Sequence, residues 1–205
     1  MSDLGFVGLG AIGGAIAERL LTQKHRLRVY DINADALTRL VDLGASNGQS
    51  CMELSAGCEI VFLSLPSPEV VEHVVLGQSG LLSQSKKLRY IVDLSTNSPQ
   101  LSRKISAAAE QVGVNYLDAP VSGGRAGAKK GTLSVMIGGS ASAFEAIKPI
   151  ILGLGANIFH VGPSGSGSLA KLVNNQIFLS TSIVVQEAFM MGLKAGMQPQ
   201  ALLNV

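Results

Sequence analysis

The sequence predicts an α/β fold, a doubly wound and mostly parallel sheet, followed by the start of an all-α C-terminal domain. Short apolar runs alternate with helix-period segments from the first residues onward, which is the pattern of βα units. The 205 residues are 47% hydrophobic and 15% charged, enough apolar material for one good core and too little charge for a disordered chain. Beyond residue 165 the strand signals stop and one helical pattern of roughly thirty residues takes over.

Strands are predicted at residues 3–8, 26–31, 59–64, 89–94, 113–118, 132–138 and 157–161, each a short apolar run of strand length. Between them, small or aliphatic residues at helical spacing predict helices at 11–22, 34–43, 68–76, 98–112 and 141–152. Ser98-Pro99 supplies the fourth of these with an N-cap and a proline at the first helical position. GPSGSGS at 162–168 has the composition of a linker, but it leads directly into a helix over 166–195. That helix is apolar nearly all round, from Leu169 and Leu172 through Phe178 to Met191, so it should be buried on several sides. Only ten residues follow Ala195, which places the expected domains at 1–163 and 164–205, the second incomplete.

The first strand is followed by Gly8-Leu9-Gly10-Ala11-Ile12-Gly13 and then at once by a helical pattern. This is the context a dinucleotide-binding turn requires. Its first glycine permits the tight turn, its second lets backbone approach a pyrophosphate, and its third lets helix pack on strand. The second strand ends in Asp31, at the distance expected for an acid that accepts from the adenosine ribose. Together they predict a Rossmann-type nucleotide site. Asp31 would repel a 2′-phosphate, and Ile32 and Asn33 supply no cation to hold one, so NAD is preferred to NADP. Leu65-Pro66 and Thr96 follow the third and fourth strands, at carboxyl ends where a cofactor lies in an open sheet, although generic strand-to-helix turns would read the same way.

Lys171 is an isolated charge in the apolar run Ser168-Leu169-Ala170-Lys171-Leu172-Val173-Asn174-Asn175. At helical spacing, 168, 171, 174 and 175 share a face, bringing an ammonium, two carboxamides and a hydroxyl together. Partial burial lowers a lysine pKa and makes general acid/base work possible near neutrality. A lysine that runs its stem along apolar surface toward water fits the local sequence too. The segment Asp118-Ala119-Pro120-Val121-Ser122-Gly123-Gly124 can turn backbone N–H groups and a hydroxyl toward one small carboxylate, or can form a plain mobile loop.

Four signatures in order, GLGAIGG near the start, DLST at 93–96, DAPVSGG at 118–124 and GSGSLAKLVNN at 165–175, resemble those of the β-hydroxyacid dehydrogenase family, along essentially the whole chain. The resemblance implies an NAD-dependent oxidation of a small β-hydroxy acid such as 3-hydroxyisobutyrate to its semialdehyde or keto acid. It implies that Lys171 is the general acid/base, that Ser122, Gly123 and Gly124 bind the substrate carboxylate, that Asn175 holds the reacting hydroxyl, and that Thr96 lies near the nicotinamide. It also implies about ninety further residues of helical domain, carrying another lysine and an aspartate near the substrate. Two rivals remain. One is decarboxylating 6-phosphogluconate oxidation, against which the chain shows no arginine cluster for a sugar phosphate. The other is a non-catalytic NAD-binding or assembly module, against which it keeps the lysine.

A net charge of +2, with Lys86-Lys87 and Lys129-Lys130 the only adjacent basic pairs, gives no electrostatic track for nucleic acid. Cys51 and Cys58 form no CxxC pair and the three histidines are scattered, so no metal is expected. Polar residues interrupt the long apolar runs and no signal peptide precedes the first strand, which predicts no membrane partner and a cytoplasmic protein, or a mitochondrial matrix protein if a targeting peptide has been removed. The bare helix past residue 168 predicts a homo-oligomer through that C-terminal helix.

Overall fold

The computed structural model describes residues 3–205. Parallel strands β1 (Asp3–Val7), β2 (Arg26–Tyr30), β4 (Ile60–Leu63), β5 (Tyr90–Asp93) and β6 (Asn115–Asp118) form the centre of the sheet. A two-residue strand β3 (Ser46–Asn47) extends one edge beside β2. On the other side β6 continues through Ala119-Pro120 into β7 (Val121–Ser122), and both pair antiparallel with β8 (Leu133–Gly138). β9 (Gly155–Gly162) then pairs parallel with β8. The strand order β3-β2-β1-β4-β5-β6 reverses direction at β1, so the crevice at the carboxyl ends of β1 and β4 is the switch point where ligands bind in such sheets.

Strand residues alternate between the two faces. Leu4, Phe6 and Phe62 join one buried cluster, with α1 (Gly13–Thr22), α2 (Ala34–Asp42) and α7 (Ala141–Ile151). Val7, Val61 and Leu63 join the other, with α3 (Cys51–Gly57), α4 (Pro68–Leu76) and α5 (Pro99–Gln111). A sheet covered on both faces explains why its strands read as continuous apolar runs rather than as alternating ones.

The observed strands and long helices follow the predicted ones with ends shifted by a residue or two. Five short elements were not predicted: β3, α3, β7, α6 (Gly124–Lys130) and α9 (Pro199–Leu203). The glycine-rich stretch after residue 122 therefore forms a strand and a helix rather than a mobile loop. Gly131, in the left-handed region at φ 70°, ends α6.

The chain divides into two compact units, Met1–Lys171 and Leu172–Val205. The long helix α8 (Ser166–Lys194) begins in the first and carries most of the second. Within the second unit, α9 returns onto α8 where Gly192 meets the Leu202 side chain. Ile177, Phe178, Val184 and Met191 are each more than half exposed, in keeping with the expectation of a bare apolar helix that little in this chain covers. By length and composition alone α8 could also cross a bilayer, against the expectation that polar residues interrupt every such run.

Candidate active site

Backbone register carries the site. Tyr30, Val7, Leu63, Asp93 and Asp118 are paired neighbours across β2, β1, β4, β5 and β6, forming one transverse row at the carboxyl edge. The segments leaving that row hold nearly all the residues singled out from the sequence.

After β1, Gly8 adopts φ 93°, and a Cβ there would run into the Ser64 carbonyl. A Cβ at Gly13 would run into the Gly8 carbonyl, so this glycine lets α1 start close against the turn. Gly10 differs: a Cβ there meets nothing within 4 Å. Its glycine answers to no neighbour in the protein, which fits a surface that another molecule approaches closely. The Leu9 N–H donates to Asp31 Oδ2 at 2.5 Å, and the Asn33 N–H donates to Asp31 Oδ1 at 2.7 Å, so the carboxylate after β2 is tied to the glycine turn.

Gly8, Gly10, Ala11, Ile12, Gly13, Asp31, Leu65 and Pro66 line one cleft of about 570 Å³. Leu9 stands behind it as a buried residue. Val7, Tyr30, Ile32, Asn33, Ala36, Ser64, Val70 and Val74 complete its walls and are not assigned from the sequence. They lie at the ends of β1, β2 and β4, just after them, and along α2 and α4, and for most of them the signal that could have found them is position at a strand end. Thr96 is exposed in the loop after β5 and is not among the cleft-lining residues. The cleft fits a dinucleotide: a glycine turn opening a helix, an acid at the end of β2, and apolar walls.

A buried polar network centred on Asp93 joins the end of β5 to the loop that follows it. Asp93 is fully buried and accepts from the Ser95 N–H at 2.9 Å, from Asn97 Nδ2 at 2.6 Å and from the Tyr116 hydroxyl at 2.7 Å. Burial pushes its carboxyl up to about 6 against the pull of those donors. Burial and the neighbouring Asp93 also push the Tyr116 phenol well above its usual range. The Leu65 N–H donates to Ser95 Oγ at 2.9 Å, which ties the loop after β4 to the loop after β5.

Asp118, also fully buried, accepts from the Gly165 N–H and the Ser168 N–H, both at 2.8 Å. It thus caps α8 from the end of β6. Hydrogen bonds to a charged group contribute about 1.5–3 kcal/mol each, enough to offset much of the cost of burying one carboxylate. Ser168 was grouped with Lys171 as a shared polar face. Instead its hydroxyl is fully buried and pairs with Ser102 Oγ at 2.8 Å.

Lys171 follows three residues later, half-buried, with no ion pair among the described residues. Burial lowers its pKa from the ordinary lysine value. Ser122 ends β7, half-buried, while Gly123 (φ 123°) and Gly124 (φ 61°) turn the chain into α6. Asn175 belongs to the second unit, four residues beyond Lys171 on α8. Among the described residues, no group of three or more His, Cys, Asp or Glu side chains could hold a metal ion.

Residues 3–162 match the family model for the NAD binding domain of 6-phosphogluconate dehydrogenase. The whole chain is 40% identical to 3-hydroxyisobutyrate dehydrogenase of Pseudomonas aeruginosa, covering 69% of that protein. It is 39% identical to the NAD-dependent L-serine dehydrogenase of the same organism, again over 100% of this chain and 69% of the relative. Among solved structures, Mycobacterium tuberculosis 3-hydroxyisobutyrate dehydrogenase with L-serine superposes with a TM-score of 0.91 at 32% identity, over 100% of this chain and 69% of that one. These matches run the full length of α8, so that helix belongs to the part of the chain shared with these relatives. With the glycine turn, Asp31 and the NAD-binding domain in place, the chain belongs to the β-hydroxyacid dehydrogenase family of NAD-dependent oxidoreductases.

Proposed function

We propose that the chain interconverts a 3-hydroxyisobutyrate-like β-hydroxy acid and its semialdehyde or keto acid, with Lys171 as the general acid/base. The observation that carries this reading is Lys171 itself. It is a lysine of lowered pKa with no ion pair among the described residues, held five residues past the start of a helix that is fastened to the carboxyl edge of the sheet. A relative that oxidises 3-hydroxyisobutyrate and another that oxidises L-serine support the substrate class, because both compounds carry a carboxylate and a hydroxyl two carbons away from it.

The glycine turn and Asp31 would hold NAD, which would supply the hydride acceptor. The chain's own residues do the rest. The Ser122 hydroxyl and the backbone at Gly123 and Gly124 bind the carboxylate, which orients the substrate and selects the carbon to be oxidised. The Asn175 carboxamide holds the reacting hydroxyl, and Lys171 Nζ, in its neutral form, takes the hydroxyl proton. In the reverse direction the ammonium returns it. Thr96, in the loop after β5, would lie near the nicotinamide.

Replacing Lys171 with Ala tests this assignment. Turnover of 3-hydroxyisobutyrate and L-serine should fall by roughly two to four orders of magnitude, the scale of a lost general acid/base, with NAD affinity unchanged. Equal turnover in both proteins overturns it. The exposed apolar side chains of α8 support self-association through that helix, and light scattering that gives a monomer mass overturns that part.

A further inference from the structure

We infer that Asp118 is a positioning residue for Lys171: its buried carboxylate, with Ser102, clamps the first turn of α8 and so sets the height and rotation at which the lysine leaves the helix. This rests on the reading of Lys171 as the general acid/base.

Three directional contacts fix the turn. Asp118 Oδ1 takes the Gly165 N–H, Asp118 Oδ2 takes the Ser168 N–H, and Ser168 Oγ meets Ser102 Oγ of α5. Two bonds from one carboxylate, one to each oxygen, define an orientation as well as a distance. The third, from another element, stops the turn from rocking about Asp118. Sterics close the arrangement. A Cβ on Gly167 would collide with the Asp118 and Met136 carbonyls, and one on Gly138 would lie 2.6 Å from Asp118 Oδ1. The helix therefore starts in direct backbone contact with the end of the sheet.

Asp118 is also tied to the cofactor side. It pairs in register with Asp93, whose carboxylate holds the loop carrying Ser95 and Asn97. One transverse row of backbone thus carries both the loop at the cofactor end and the helix start that bears the lysine. A lysine on a four-carbon stem loses its value as a proton carrier if its helix shifts by an ångström or so, because proton transfer needs hydrogen-bond reach. An anchor at the base of that turn answers this need, and the substrate need not touch it.

The test uses the full chain with Asp118→Asn, Asp118→Ala and Ser102→Ala. Asparagine keeps the shape but turns one acceptor into a donor facing an N–H, while alanine removes both. Reductive methylation across pH, read by peptide mass spectrometry at Lys171, reports the environment of the amine without requiring turnover. In the unaltered chain Lys171 should reach half-modification below the ordinary lysine range. In both Asp118 variants its profile should move up toward that ordinary range, and kcat should fall at least tenfold with NAD affinity within about twofold of the parent. Ser102→Ala, which leaves the carboxylate in place, should give a smaller shift in the same direction and keeps the proposal testable if the Asp118 variants do not fold. A Lys171 profile unchanged in any folded variant overturns the clamp. A moved profile with unchanged kcat supports the clamp and overturns instead the acid/base reading of Lys171.

Discussion

The Leu9 amide lies 2.5 Å from Asp31 Oδ2, so the glycine turn after β1 and the acid after β2 are locked together within the protein itself. The turn is therefore organised before any ligand arrives, and Asp31 serves two purposes: it holds the turn, and it presents carboxylate lone pairs to the cleft.

Asp31→Ala should accordingly weaken NAD binding by more than the loss of one ribose contact. A drop of tenfold or more, about 1.4 kcal/mol, is expected in a fluorescence titration, with thermal stability reduced only slightly at this half-buried site. Asp31→Ser should also narrow the preference for NAD over NADP, since the charge that opposes a 2′-phosphate is gone. Unchanged discrimination between the two cofactors would remove Asp31 from the specificity argument.

The glycines of the same turn separate cofactor binding from folding. Gly10→Ala adds a methyl that meets no protein atom, so the melting temperature should stay within a few degrees while NAD affinity falls at least tenfold. Gly13→Ala drives a methyl into the Gly8 carbonyl and should destabilise the protein by roughly 1–3 kcal/mol, read by denaturant unfolding. The reverse ranking, with Gly10→Ala the less stable protein, would contradict the geometry.

Much of this was legible in the sequence because it follows from local rules. A glycine turn between a strand and a helix needs small residues at fixed spacing, and Asp31 follows a strand at a fixed remove, so both could be placed without coordinates. Asp93 and Asp118 were visible within DLST and DAPVSGG, yet their work stayed hidden. Asp118 reaches across the chain to Gly165 and Ser168, and only the fold brings those segments together. The five short elements escaped for a related reason. Two residues of β3, or seven of α6, carry too little periodicity to register, and they exist because neighbouring strands and helices hold them. Ser168 shows the opposite error: helical spacing put it beside Lys171, but a buried hydroxyl needs a partner, and Ser102 provided one.

Lys171 makes a prediction for pH. Burial lowers its pKa, so the neutral amine becomes available at lower pH than for a surface lysine. Oxidation of the hydroxy acid, which needs the neutral base, should rise with pH to a plateau whose midpoint lies below the ordinary lysine range. Reduction, which needs the ammonium, should fall over the same interval. Initial rates in both directions across pH check this, and two profiles that move in the same direction would exclude a shared lysine.

Asp93 makes the opposite kind of prediction, for stability. Its carboxyl is raised from the ordinary value of 3.8 to about 6 because burial penalises the charged form more than Ser95 and Tyr116 offset. The folded state therefore binds the Asp93 proton more tightly than the unfolded state. That contribution is fully present below about pH 4 and is lost as pH rises through about 6, a total of roughly 3 kcal/mol. In Asp93→Asn the site stays neutral and keeps its shape. Asn97, whose Oδ1 is buried without a partner, can flip its carboxamide so that this oxygen accepts from the new amide. Denaturant unfolding of the parent and of Asp93→Asn between pH 4 and pH 7 should then give curves whose difference changes steadily with pH, the parent losing stability relative to the variant as pH rises. Parallel curves over that window would mean that Asp93 titrates no differently in the folded and unfolded chains, and that Tyr116, Ser95 and Asn97 fully offset its burial.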